Sequence, residues 1–185
     1  MSVPQMPTPA RILVSIIFSE TGPGSRSNFI ENVIKSLTRK LGQTDFVSEV
    51  SQFTQTRYYE QEMGGGLQRV FVSFKKLVPR EQLAWIKLFT NRLEIEFARP
   101  DGSRCCNIDP GLLTVENFIL ATGKNFTHRI YLKDGIFSEV TLLFQNGKFR
   151  TLPWTYRDYA AEPVVEMLTA MRKNLMKELK VLGLL

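Results

Sequence analysis

The dipeptide Asp134-Gly135 constrains this chain more than any other pair of residues. It lies between two runs rich in β-branched and aromatic residues, 127–133 and 136–144. Asp-Gly is a favoured pair for the two-residue type I′ turn, in which both central residues take positive φ. A β-hairpin over 127–144 follows, and the turn sets its register: Lys133 opposite Ile136, Ile130 opposite Glu139, His128 opposite Thr141. Alternation puts His128, Ile130, Leu132, Phe137, Glu139, Thr141 and Leu143 on one face, and Arg129, Tyr131, Lys133, Ser138, Val140 and Leu142 on the other. His128, the single histidine of the chain, becomes a diagonal neighbour of Glu139. A carboxylate on an otherwise apolar face needs a partner, and this histidine is the nearest one.

The rest of the chain reads as alternating strands and helices. Residues 1–10 form a disordered lead-in, and 11–185 form one α+β domain. The nearly unbroken apolar run 11–19 reads as a central strand covered on both faces. Loop 20–27, with Gly22, Pro23 and Gly24, leads into a helix from Asn28, where Asn28 and Glu31 suit a capping box; Gly42 ends it. A glycine-bearing loop before a helix is a possible phosphate cradle, but neither G-x-G-x-x-G nor a Walker lysine is present. Segment 46–54 reads as a strand, 56–63 as a short helical turn and 67–77 as an alternating strand. Pro79 opens a helix to about Phe97, with Leu83, Ile86, Leu93 and Phe97 inward. Strand 104–108 then completes a ferredoxin-like β-α-β-β-α-β order within a mainly antiparallel sheet. Asp109-Pro110-Gly111 reads as a tight turn, and Thr114 begins a helix ended by Gly123. The hairpin, a short strand 148–152, an aromatic connector 153–159 and a C-terminal helix from Pro163 extend the core. Val164, Leu168, Met171, Leu175, Leu179 and Leu182 form one stripe of that last helix, and its terminal lysines suit the helix dipole.

At 185 residues and 43% hydrophobic content the chain can bury one substantial core. No run of eighteen apolar residues is present, and the first residues lack a secretory pattern, so no membrane partner is expected. Cys105 and Cys106 are adjacent; a disulfide between neighbours is strained, so they read as reduced packing residues of a cytoplasmic protein. The net charge of +6 is diffuse, which predicts at most weak, non-specific nucleic-acid binding.

Six segments together carry a family resemblance: LGQTDFVSE at 41–49, TRYYEQEMG at 56–64, LQRVFVSFKKL at 67–77, NIDPGLLT at 107–114, HRIYLKDGIFSEVTL at 128–142 and LPWTYRDY at 152–159. Taken in this order, they resemble the bacterial family catalogued as domain of unknown function 4416. The chain departs from the family pattern at Arg57, Leu112 and Arg157, where aspartate, tyrosine and proline are usual. The resemblance implies a bacterial cytoplasmic protein and specifies no reaction.

Two classes of function stand open. One is a site for a small anionic ligand or nucleotide. There His128, Glu139 and Asp109 are the candidate catalytic residues, because histidine beside a carboxylate is the minimum for general base work. Arg129 would hold the anion, with Tyr59, Glu62 and Trp154 on the rim. Asp109, His128 and Glu139 are alternatively a set of divalent-metal ligands, or His128 and Glu139 simply satisfy each other. The other class is a nucleic-acid-binding module, or a protein-interaction module whose natural contact is 154–159, in either case without catalysis. Nothing in the pattern identifies a cofactor or an oligomeric state.

Overall fold

Every residue of the first strand, β1 (Ala10–Ser19), is buried, and the molecule is layered around it. The structure, a computed structural model, describes residues 1–19, 26–55 and 58–185. The other strands are β2 (Thr44–Val47), β3 (Ser51–Gln52), β4 (Leu67–Val78), β5 (Cys106–Leu113), β6 (Asn117–Thr122), β7 (Ile130–Lys133), β8 (Ile136–Gln145) and β9 (Lys148–Thr151). The helices are α1 (Arg26–Leu41), the single turn α2 (Glu60–Met63), α3 (Leu83–Glu96) and α4 (Glu162–Val181). Among the described residues all nine strands join one antiparallel sheet, ordered β2-β4-β1-β5-β6-β8-β7. The short β3 also pairs with β4, and β9 with β8. This is an α+β architecture with a C-terminal helix, and no helix of the described residues is long and apolar enough to cross a membrane.

Because side chains alternate along β1, its even and odd residues belong to different layers. Ile12, Val14, Ile16 and Phe18 pack against α1 and α3 through Val33, Leu37, Ile86 and Leu93. Leu13 faces the opposite way and joins Phe71, Leu113 and Leu142 beneath Leu168, Leu175 and Leu179 of α4. Each such apolar side chain contributes about 1.5–3 kcal/mol by leaving water. Arg11 lies on the α4 side, buried, where it pairs with Asp45 and with Glu178 and donates to the Phe74 carbonyl at 3.0 Å. It ties the end of α4 to the sheet.

Several local expectations are corrected. Asp109-Pro110-Gly111 is part of β5, not a turn. The Ile108 backbone points away from β1, because its N–H and C=O are both taken by α3 side chains. Pro110, two residues on, therefore turns its missing N–H to the same outer side, and the β1 ladder loses no donor. Residues 114–122 form a turn and β6 rather than a helix: the Thr114 hydroxyl accepts from the N–H groups of Glu116 and Asn117 and turns the chain back. Both faces of β6 are covered, so its apolar run has no strand period to read. Strand 46–54 is broken into β2 and β3. Asn28 lies inside α1, which begins at Arg26, so it does not cap the helix. The glycine-bearing loop lies largely outside the described residues, as do Thr56 and Arg57. Ala10 belongs to β1, and Leu182 stays exposed beyond α4.

The Asp134-Gly135 turn is present, with φ of 52° and 78° and Lys133 opposite Ile136. The register beyond it is not the expected one. An irregularity at Leu132 sets Tyr131 opposite Phe137 and Ile130 opposite Ser138. β7 then ends, leaving His128 in a turn and Arg129 in the connection to β7. The one-residue slip removes the alternation that had separated the two.

Candidate functional site

The sheet forks between β5 and β6. Their pairing covers only Gly111 to Leu113 against Phe118 to Leu120, so residues 106–110 of β5 have no strand on their outer edge. Gly111 sits at the crotch, where a Cβ would fall 2.6 Å from the Phe118 ring and 2.7 Å from the Ile119 carbonyl oxygen; only glycine fits. Two side chains from α3 fill the fork. Lys87 Nζ donates to the Ile108 carbonyl at 3.0 Å, and Glu94 Oε1 accepts from the Ile108 N–H at 2.7 Å.

Above the fork, on the part of the α4-side sheet face that the helix leaves uncovered, lies a cavity of about 760 Å³. Ser15 and Ile17 of β1 belong to its floor, along with Arg69 opposite Ile17 and Asp109 opposite Ser15. Tyr58 and Tyr59 line one part of its wall and residues 156–159 another.

The buried charges of this cavity are closely matched. Arg69 donates to Asp158 at 2.6 Å and to Ser15 Oγ at 3.0 Å, and its guanidinium lies 4.4 Å from the Phe71 ring centroid. Asp109 accepts from Lys87 at 2.8 Å and from Asn107 at 2.5 Å. Burial resists ionisation of Asp109, but the Lys87 charge and these hydrogen bonds outweigh it and hold the carboxyl below its usual range. Burial pushes the neighbouring Glu94 carboxyl up, against the pull of Lys87, the Ile108 N–H and Arg104. Arg104 in turn reaches Glu94 and Asn107, each at 3.3 Å.

Each carboxylate lining the cavity (Glu94, Asp109, Glu139, Asp158) has a cation within salt-bridge distance. Lys124 and Arg157 also line it, and neither meets a carboxylate among the described residues. Lys124 instead donates to the Tyr58 hydroxyl at 3.0 Å and lowers that phenol below its ordinary value.

The residues singled out from sequence divide between the cavity and its surroundings. Glu139, with its side chain 1% exposed, lines the cavity. Its Oε2 accepts from Arg129 Nε at 2.7 Å and lies 3.1 Å from His128 Nε2; its Oε1 is buried without a hydrogen-bond partner among the described residues. Arg129 also donates to the Lys124 carbonyl and to the Tyr156 hydroxyl, each at 2.9 Å. His128 is not among the lining residues. Its ring stacks on Trp154, with centroids 4.9 Å apart and planes at 10°, while Trp154 Nε1 donates to the Val140 carbonyl. Asp109 lines the cavity with its own partners and does not join His128 and Glu139. Among the described residues no three His, Cys, Asp or Glu side chains come together to hold a metal ion, so these three do not form the metal set considered above. Tyr59 lines the cavity, and burial raises its phenol well above the ordinary value. Glu62 lies outside it, held by Arg104 at 2.6 and 2.8 Å.

Arg69, Lys87, Arg104 and Lys124 are not singled out from sequence as site residues, and Asp158 enters only within the segment 154–159. Arg69 lies in an alternating strand and Lys87 in a helix, where an isolated cation is ordinarily a solvent-facing residue. One signal was available for Lys87: it sits between Ile86 and Leu88 in a helix whose apolar residues leave little room for a polar face.

The segments that carry the family resemblance meet at this cavity. All but 41–49 contribute to its lining: Tyr58 and Tyr59, then Arg69, then Asn107 and Asp109, then Arg129 and Glu139, and finally 156–159. No curated protein and no solved structure matches the chain. The family model described as "Domain of unknown function (DUF4416)" matches residues 8–175, nearly the whole chain, and the protein therefore belongs to that family.

Proposed function

We propose that the chain binds a small anionic ligand, nucleotides included, in the cavity at the sheet fork. One observation carries this reading. Every carboxylate lining the cavity is already matched by a cation, yet Lys124 and Arg157 line it without a carboxylate partner among the described residues. Two uncompensated cations beside a partly enclosed space suit a phosphate or dicarboxylate, and the tyrosines around them supply further polar contacts. Asp109 and Glu139 keep the deeper cations paired, so the anion settles at Lys124 and Arg157. Arg129, which bridges Glu139, Tyr156 and the Lys124 backbone, holds that rim together.

Two coarser readings accompany it. The order β2-β4-β1-β5, with α1 and α3 packed on one face, supports a ferredoxin-like core. The buried free thiols of Cys105 and Cys106, together with the family resemblance, support a bacterial cytoplasmic setting.

The test is calorimetry and thermal unfolding with inorganic phosphate, pyrophosphate, AMP and succinate. At least one is expected to bind, and a ligand at a hundred times its Kd stabilises by about 2.7 kcal/mol. The double variant Lys124→Ala/Arg157→Ala should lose that binding while remaining folded. Binding by none of the four, or unchanged binding by the double variant, overturns the proposal.

A further inference from the structure

A second concavity, of about 990 Å³, lies between β9 and the flank of α4, apart from the cavity at the fork. Its charge is one-sided. Lys148 and Arg150 of β9 line it together with Lys173, Lys177 and Lys180 of α4, and none of these five forms a salt bridge among the described residues. Glu162 and Glu166 are the acidic lining residues, both near the start of α4.

Among the described residues, the strand wall has free hydrogen-bonding groups. β9 follows a two-residue turn, Asn146-Gly147, with φ of 51° and 81°, and pairs Gln145 with Lys148 and Leu143 with Arg150. In such a hairpin those two pairs exchange the ladder bonds. Phe149 and Thr151 therefore turn their N–H and C=O groups away from β8, and Phe144 does likewise on its own strand, donating to the Glu116 carbonyl at 2.9 Å. β9 is thus a sheet edge standing beside a helix, the geometry into which an extended peptide adds as another strand.

We propose that this groove binds an acidic, extended peptide segment of a partner protein, which adds to the free edge of β9 and sets its carboxylates against the α4 lysines. A nucleic acid fits less well. Phe149 is buried and the Phe144 ring is capped by the Arg172 guanidinium at 3.4 Å, so neither offers a face on which a base can stack. The free backbone groups of β9, in contrast, are what a peptide backbone complements.

The probe is a labelled peptide, Glu-Val-Glu-Val-Glu-Val-Glu, followed by fluorescence anisotropy with the full chain. Binding is expected, and Lys173→Glu/Lys177→Glu should weaken it at least tenfold. Both lysines are exposed, and circular dichroism checks that the variant is folded. The same peptide N-methylated at every residue should also bind at least tenfold more weakly, because strand addition needs the backbone donors. Lys124→Ala/Arg157→Ala should leave peptide binding unchanged. Absence of binding, equal binding of the N-methylated peptide, or tighter binding of an oligothymidylate of similar length overturns the proposal.

Discussion

The face of the sheet beneath α4 has two ends built by opposite rules. At one end Leu13, Phe71, Leu142 and Leu175 meet in a dry apolar layer. At the other, Ser15, Arg69, Asp109 and Glu139 occupy the same face of neighbouring strands and surround a cavity. The backbone is the same continuous sheet in both places; what changes is what covers it. Where a helix supplies leucines, the sheet offers leucines back. Where no helix lies, the sheet side chains pair with each other and with α3 side chains reaching through the fork. Stability at the first end comes from volume filled, and at the second from charges matched.

Substitutions can separate the two ends, and the largest effect belongs to the charged one. Arg69→Ala removes the partner of Asp158, whose side chain is only 12% exposed, and should cost about 3–5 kcal/mol in urea unfolding. The double variant Arg69→Ala/Asp158→Ala should recover part of that loss, because no unmatched carboxylate remains; a fully additive double variant would refute the charge-matching account. Leu175→Ala at the dry end should cost about 2–5 kcal/mol by leaving a cavity, with phosphate binding unaffected. His128→Gln should cost about 1–3 kcal/mol by disturbing the contact to buried Glu139.

A smaller and differently signed effect comes with alkali. Burial raises the phenols of Tyr59 and Tyr159, so the folded state keeps them neutral after unfolded tyrosine begins to ionise near about pH 10. Their contribution to stability is complete below that pH and is lost as the pH climbs past it. Tyrosinate absorbance should therefore rise earliest for Tyr58, which Lys124 lowers, while Tyr59 and Tyr159 ionise only as the chain unfolds; Tyr58→Phe should remove the earliest rise alone. The smallest effect is expected from Lys124→Ala/Arg157→Ala, within about 0.5 kcal/mol of the parent in the absence of ligand. A larger loss would mean that these two cations support the fold.

Much of the dry end was legible in the amino-acid sequence, and little of the charged end was. The run 11–19 announces its burial by being almost wholly apolar, and the stripe of α4 announces its own by a single helical period. The hairpin turn was legible too, but the irregularity at Leu132 was not, and one residue of slip altered every pairing beyond it. Arg69 and Asp158 lie 89 positions apart. Each alone looks like an ordinary surface charge, and only the fold makes them a pair. Asp109-Pro110-Gly111 misled for a related reason. The residues that favour a turn also suit a strand edge where no donor is needed and another backbone passes close.

The fork between β5 and β6 bears on how the two sides of the molecule communicate. A continuous sheet insulates, since its hydrogen bonds are all satisfied in its own plane and a helix on one side has no chemical access to the other. Here the insulation is interrupted. Lys87 and Glu94 belong to α3, yet they serve as the missing neighbouring strand for Ile108 and reach the wall of the cavity beyond. Whatever pulls on Asp109 or Lys87 from the cavity side pulls on the hydrogen bonds of β5 and on the helix behind it. The Ile108 amide is thereby a reporter built into the backbone. Its rate of hydrogen exchange should register, from the opposite layer, whether anything occupies the space in front.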